Sequence, residues 1–333
     1  AHPPGLFLVT HTVLRLMEDH PGTARVVLGL APESVRGGFR EIERYEHRPF
    51  PFAHRAALTL IGALTLLLCA ATVVPLYLLA RSCLPAQGAW AAAAFWPLVP
   101  SAVLFQPTAD TAFPLLSTAA LALAAWSARG RWPIALSFGA GLILAFGMIF
   151  SLAFLPVGLT VALVLALGAE TSWRQRGLQI LAVGAGFLAL AVAVWALSGA
   201  NPFVVWWWNR QNHARFYHAF SRNYLKWVIV NPVELAIGLG LPAAVWAVFG
   251  LSTRPALRPT FSALAVLALM SFGGLTLSEV GRLWLPWMPA LLVASGAGLS
   301  RLQAGAGTLA AALLLTGVQT LLLEGMIQVV YPV

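Results

Sequence analysis

Of 333 residues, 59% are hydrophobic and only 9% charged, with a mean hydropathy of +0.82, so the chain has too few charges to cover the surface of a soluble domain. The formal net charge of +9 does not point to nucleic acid, because most of the excess sits in short connections between apolar runs. Two cysteines, Cys69 within an apolar run and Cys83 just beyond one, exclude a disulfide framework and belong to no metal-ligand pattern.

The chain opens on His2-Pro3-Pro4-Gly5, with no Met and no cleavage-type signal before it. The apolar stretch at 5–17 is too short to span: as a helix it rises about 20 Å, against a hydrocarbon core of roughly 30 Å. With His11 and Arg15 among its leucines and valines, it is expected to lie in the membrane interface as a juxtamembrane helix. Residues 18–55 hold six acids and six arginines and read as a solvated loop carrying a short surface helix.

Apolar runs then follow at 57–80, 88–105, 111–128, 133–149, 151–169, 177–198, 228–250, 259–277, 284–300 and 306–325. Several contain Pro or Gly, which bilayer helices tolerate. The expected fold is all-α: a polytopic transmembrane helical bundle of about ten spans, with the juxtamembrane helix, in one domain. No soluble domain and no internal repeat is evident.

Lys and Arg in the short connections set the orientation. Arg81, Arg129, Arg131, Arg174, Arg176, Arg254, Arg258 and Arg301 fall on one side, and only Arg282 on the other. The arginine-rich side is therefore expected to face the cytoplasm. The amino terminus, 18–55, 199–227, Asp110 and Glu279 are expected outside.

The unusual polar groups gather on that outer face. Asp110 sits in Gln106-Pro-Thr-Ala-Asp-Thr, and Glu279 and Arg282 in Ser-Glu-Val-Gly-Arg-Leu-Trp-Leu-Pro-Trp. Glu234 lies one to two turns inside a span, where a carboxylate is a functional candidate. Each has a plainer reading: Asp110 as a helix N-cap, Glu279 with Arg282 as a structural i,i+3 pair, Glu234 as a hydrogen-bond partner of a neighbouring helix. His2 suits a simple interfacial role.

Segment 199–227, expected as an outer loop, carries Arg210, Arg215, Arg222, Lys226, His213 and His218, interleaved with aromatics and with no acid. Guanidinium groups match phosphate oxygens, and aromatic faces pack on a sugar or a prenyl tail. Trp, Tyr and Arg also anchor helix ends at an interface without binding anything. The missing acid favours an anionic ligand, with His213, Arg215 and Arg282 as its contacts.

Ala-His-Pro-Pro-Gly-Leu-Phe-Leu at 1–8, the span from Arg55 to Arg81 ending in Leu-Tyr-Leu-Leu-Ala-Arg, and the Pro-Thr-Ala-Asp-Thr turn resemble the glycosyltransferase C superfamily. The protein O-mannosyltransferases and the aminoarabinose and arabinofuranosyl transferases are the members most similar. Residues 209–217 and 279–286 are similar to outer-loop segments of some bacterial members.

The resemblance implies an inverting sugar transfer from a polyprenyl-phosphate donor, in which a carboxylate deprotonates the acceptor and cations stabilise the departing phosphate. It implies a bacterial inner membrane with the active face extracytoplasmic, and His2, Asp110, His213, Arg215, Glu279 and Arg282 as substrate contacts. The family's catalytic Asp precedes the His-Pro-Pro motif, so it is expected upstream of Ala1. A divalent metal suits phosphate chemistry, but no motif for one is present. The expected partners are the lipid donor, membrane lipids and subunits of a membrane complex, with no nucleic acid. The competing readings are a lipid-linked oligosaccharide ligase and a non-catalytic subunit on the same scaffold. A transporter fits less well, since the charges collect at one face.

Overall fold

The computed structural model describes residues 3–129, 132–168, 171–219, 222–252 and 257–327, the side chains of 213 and 216–219 excepted. Among them, all regular structure is helical. The first three helices are α1 (Gly5–Asp19), α2 (Pro21–Leu30) and α3 (Glu33–Glu46). The polar stretch at 18–55, expected as a loop with one short helix, is thus mostly helical.

α3 buries Phe39, which stacks on Phe50 at 5.8 Å between ring centroids. Its other faces are charged. Arg44 grips Glu41 at 2.7 Å, and Glu33 pairs with Arg40, whose hydrogen bond holds the Glu33 carboxyl below the usual carboxylate range. His47, left-handed at φ 53°, stops the helix. A small cluster of Met17, Ala24, Ala56 and Ala57 seats α1 and α2 on the next helix.

α4 (Phe52–Ala71) and α5 (Val73–Arg81) run on as one 30-residue apolar rod. Next come α6 (Ala86–Phe95), a 3₁₀ turn at Trp96–Leu98, α7 (Pro100–Leu104), a second 3₁₀ turn at Ala109–Ala112, and α8 (Phe113–Ser127). The middle of the chain gives α9 (Pro133–Met148), α10 (Phe154–Ala166), α11 (Trp173–Ser198) and α12 (Pro202–Ala219). The last third gives α13 (Tyr224–Leu239), α14 (Leu241–Leu251), α15 (Arg258–Phe272), α16 (Val280–Leu283), a 3₁₀ turn at Leu285–Trp287, α17 (Met288–Arg301) and α18 (Ala306–Met326).

Four stretches are long and apolar enough to cross a bilayer: Phe52–Arg81, Ala109–Ser127, Trp173–Ser198 and Ala306–Met326. The pair α13–α14, bent by 107°, makes a fifth if it forms one span. The chain is an integral membrane protein of all-α class. Not all of the ten expected runs are continuous helices. The run at 88–105 is interrupted at Pro97 and Pro100, and that at 284–300 at Pro286, because proline supplies no N–H to the ladder and crowds the preceding turn. The division expected near residue 150 is present, between Met148 and Phe154.

Burial is deepest in α17, where every residue from Met288 to Leu299 is buried. Small residues let its neighbour approach: a Cβ at Gly250 would overlap the Ala294 carbonyl, and one at Gly298 the Trp246 carbonyl. α9 and α11 cross in the same way, Gly141 lying on the Val183 carbonyl and Gly186 on that of Phe138.

Two breaks in apolar helices expose backbone groups that a bilayer cannot hydrate. α18 satisfies both with adjacent residues. At the first break, Thr320 donates its hydroxyl to the Leu98 carbonyl at 2.6 Å. At the second, where Gly240 turns the chain with φ 97°, the Gln319 carboxamide accepts the Leu241 N–H at 2.7 Å and donates to the Ile237 carbonyl at 3.1 Å.

Candidate functional site

Opposite charges collect at opposite ends of the bundle. At one end Arg129 donates to the Ser82 carbonyl, Arg81 to the Leu84 carbonyl at 2.7 Å, Arg176 to the Ala166 carbonyl at 3.1 Å, and Arg301 to the Ser252 hydroxyl. Gln179 on α11 donates to the Ser127 carbonyl at 2.9 Å, and Gly88 of α6 abuts Ser300 of α17, tying these helix ends together. Arg131 and Arg254 lie outside the described residues. Three of the arginines counted for orientation, Arg81, Arg129 and Arg176, thus close backbone carbonyls at this arginine collar, as cations do at helix C-termini.

The other end is built from the start of α1, the end of α9, the starts of α8 and α10, and the segment before α17. Gly5 donates its N–H to the Ile149 carbonyl at 2.9 Å, and the Phe113 and Phe154 rings meet edge-on. Ser117 donates to the Pro286 carbonyl at 2.7 Å.

Three of the five acids that follow Glu46 converge here. Arg282 bonds Glu279 Oε2 at 2.6 Å and reaches Asp110 Oδ2 at 3.6 Å. Glu234 comes from α13 and accepts the Gly281 N–H at 2.9 Å, which pins the short α16 from below. A Cβ at Gly281 would lie 3.3 Å from Glu234 Oε1, and one at Gly238 would overlap the Ser101 hydroxyl, so α7, α13 and α16 meet through small residues. Asp110 does not cap α8: Ala112 stands at that position, and the carboxylate turns to Arg282 instead.

The loop into α16 is held under strain. Glu279 adopts a left-handed conformation, φ 55° and ψ 30°, and Ser278 has φ 153°; such consecutive values persist in non-glycine residues only where surroundings enforce them. The enforcing contacts include Asn231, fully buried, which donates to the Thr276 carbonyl at 3.0 Å and to Ser271 Oγ at 3.1 Å.

Three buried side-chain atoms on these same segments meet no hydrogen-bond partner: Oγ1 of Thr108, Oδ1 of Asn231 and Nε1 of Trp284. Buried polar atoms are nearly always paired, so their presence on the segments that carry the carboxylates suits water or a ligand there.

Of the six residues singled out from sequence, Asp110, Glu279 and Arg282 form one cluster. His2 lies outside the described residues, as does the side chain of His213. Arg215 is exposed on α12, with no hydrogen bond or ion pair to the cluster among the described residues. The segment 199–227 is for the most part the helix α12 rather than a loop. It is anchored by Trp206, which donates to the Met148 carbonyl at 3.0 Å and packs on Phe187. Among the described residues, no three His, Cys, Asp or Glu side chains are arranged to hold a metal ion.

Sequence reasoning missed Asn231, Gln106 and Gln319. Their signal was present: amides within or beside apolar runs, two of them next to a proline.

No protein-family model matches the chain, and no curated protein matches it. A solved structure of the oligosaccharyltransferase from Archaeoglobus fulgidus, in complex with zinc and sulfate, is similar at 14% identity with a TM-score of 0.47. The match covers 85% of this chain and 43% of that one, so the chain spans less than half of that protein's length.

Proposed function

We propose that the protein handles a polyprenyl-phosphate sugar at the acidic end of the bundle, as a lipid-linked glycosyltransferase facing the extracytoplasmic side. The observation that carries the reading is Arg282, held between Asp110 and Glu279 at the end opposite the arginine collar. A guanidinium there can turn towards a phosphate, while the two carboxylates keep its fork aimed in the absence of substrate. The end whose short connections carry only Arg282 is read as the extracytoplasmic one by the asymmetry of Lys and Arg in short loops. In this reading the cluster supplies the wall that faces the phosphate.

A second reading is favoured by the same geometry. Arg282 is already neutralised by two carboxylates, which leaves it less to offer an anion and suits a non-catalytic subunit. Binding of a polyprenyl-phosphate analogue to purified protein separates the two. Under the enzyme reading, Arg282→Ala weakens binding by about 1.5–3 kcal/mol, the range for hydrogen bonds to charged groups. Arg174→Ala, at the exposed opposite end, leaves it unchanged. Equal affinity in the parent and both variants would put the subunit reading first.

A further inference from the structure

A groove of about 840 Å³ opens beside the acidic end, between α4, the broken stretch 96–106 and the end of α18. Its volume lies within the roughly 300–1,000 Å³ typical of small-molecule sites. Leu66, Ala70, Trp96 and Met326 give it apolar walls, with the buried Cys69 at its floor. Among the described residues that line it, Glu324 is the one that carries a charge, and it is exposed. Gln106 also lines it, its carboxamide lying against the Cys69 thiol.

Such a wall does not suit a purely anionic head group, which would face Glu324 with no cation to offset it. An ammonium would pair with Glu324, and the Gln106 amide, with two N–H donors, offers a neutral donor to an ester or phosphate oxygen beside it. The apolar side matches an acyl chain. Trp96, which could close the floor, is fixed instead by its indole N–H, which donates to the Cys69 carbonyl at 2.7 Å.

We propose that this groove is a lateral site for an amine-bearing phospholipid, with the ammonium at Glu324 and one acyl chain along α4 and Trp96. The site is separate from the phosphate-facing role given to Arg282. Its test needs no sugar donor, so either idea can fail without the other.

The experiment is native mass spectrometry of delipidated protein titrated with phosphatidylethanolamine or phosphatidylglycerol of matched chains. The amine lipid is retained about tenfold more strongly, as one charge-assisted contact predicts. Glu324→Gln abolishes that preference, and Glu41→Gln, on exposed α3, keeps it. Ala70→Trp fills the groove from an exposed position and lowers retention of both lipids. Equal retention of the two lipids by the parent, an undiminished preference in Glu324→Gln, or unchanged retention in Ala70→Trp would each overturn the proposal.

Discussion

The Arg282 guanidinium stands 3.6 Å from the Asp110 carboxylate, joining the turn before α8 to the short helix α16 across the acidic end. Both groups are about three-quarters shielded, and Glu279 shares the same cation. Removing the cation leaves two carboxylates facing each other with less solvent to screen them.

Arg282→Ala should therefore lower stability by about 1–2 kcal/mol, between the values for exposed and buried pairs. Adding Asp110→Asn should return part of that loss, because one of the stranded charges goes with it. Arg282→Lys should recover less than half, since an ammonium cannot serve two carboxylates from a planar fork. Denaturant unfolding in detergent, run as a double-mutant cycle, reads all three. Purely additive losses would show that the pair is incidental.

The Gln319 bridge gives a second expectation. Gln319→Leu keeps the bulk and the apolar surface but strands the Leu241 N–H and leaves the Ile237 carbonyl with the Gly240 N–H alone. The cost should be about 1–2 kcal/mol, tempered by the modest worth of side-chain hydrogen bonds inside membranes. Gln319→Glu, which keeps an acceptor but loses the donor, should fall between. Unfolding midpoints matching the parent would mean that the break is satisfied by other groups.

Close helix approach predicts a contrast between glycines. Gly250→Ala forces a methyl against the Ala294 carbonyl, backbone that cannot move aside, and should cost about 1–3 kcal/mol. Gly307→Ala, with open space around it in α18, should be neutral or slightly stabilising, by up to about 1 kcal/mol. A thermal-shift series on both variants in one detergent is sufficient.

The two charged ends predict sidedness. In a Cys69→Ser, Cys83→Ser background, Ser34→Cys on α3 should react with an impermeant maleimide on intact cells. Ser172→Cys, beside the arginine collar, should react only after permeabilisation. The reverse pattern would invert the orientation drawn from the arginines.

Much of this architecture is legible in the chain because bilayer helices write themselves as apolar runs, and because arginines mark one end by position alone. The Asp110–Arg282 meeting was legible only as two outer turns; no periodicity relates residues so far apart in sequence. What escaped is where runs break. Pro97, Pro100 and Gly240 are visible as residues, yet bilayer helices often carry proline and glycine intact. Whether the chain bends depends on a partner able to take up the freed backbone groups, and that partner, Gln319 with Thr320, lies on another helix. The segment 199–227 misled for a related reason: its polar side chains suggested a loop, whereas Trp206 has Met148 and Phe187 to pack on and the segment forms a helix.

The placement of those two side chains also bears on how the protein is made. The groups that Gln319 and Thr320 satisfy lie 78 and 222 residues earlier in the chain, so a ribosome delivers both breaks to the membrane well before the helix that closes them. Until α18 arrives, each bare carbonyl or amide needs a substitute, from water in the insertion machinery or from a chaperone. A chain halted before α18 is then expected to linger at the translocon, and arrival of α18 is the step that lets both breaks leave it.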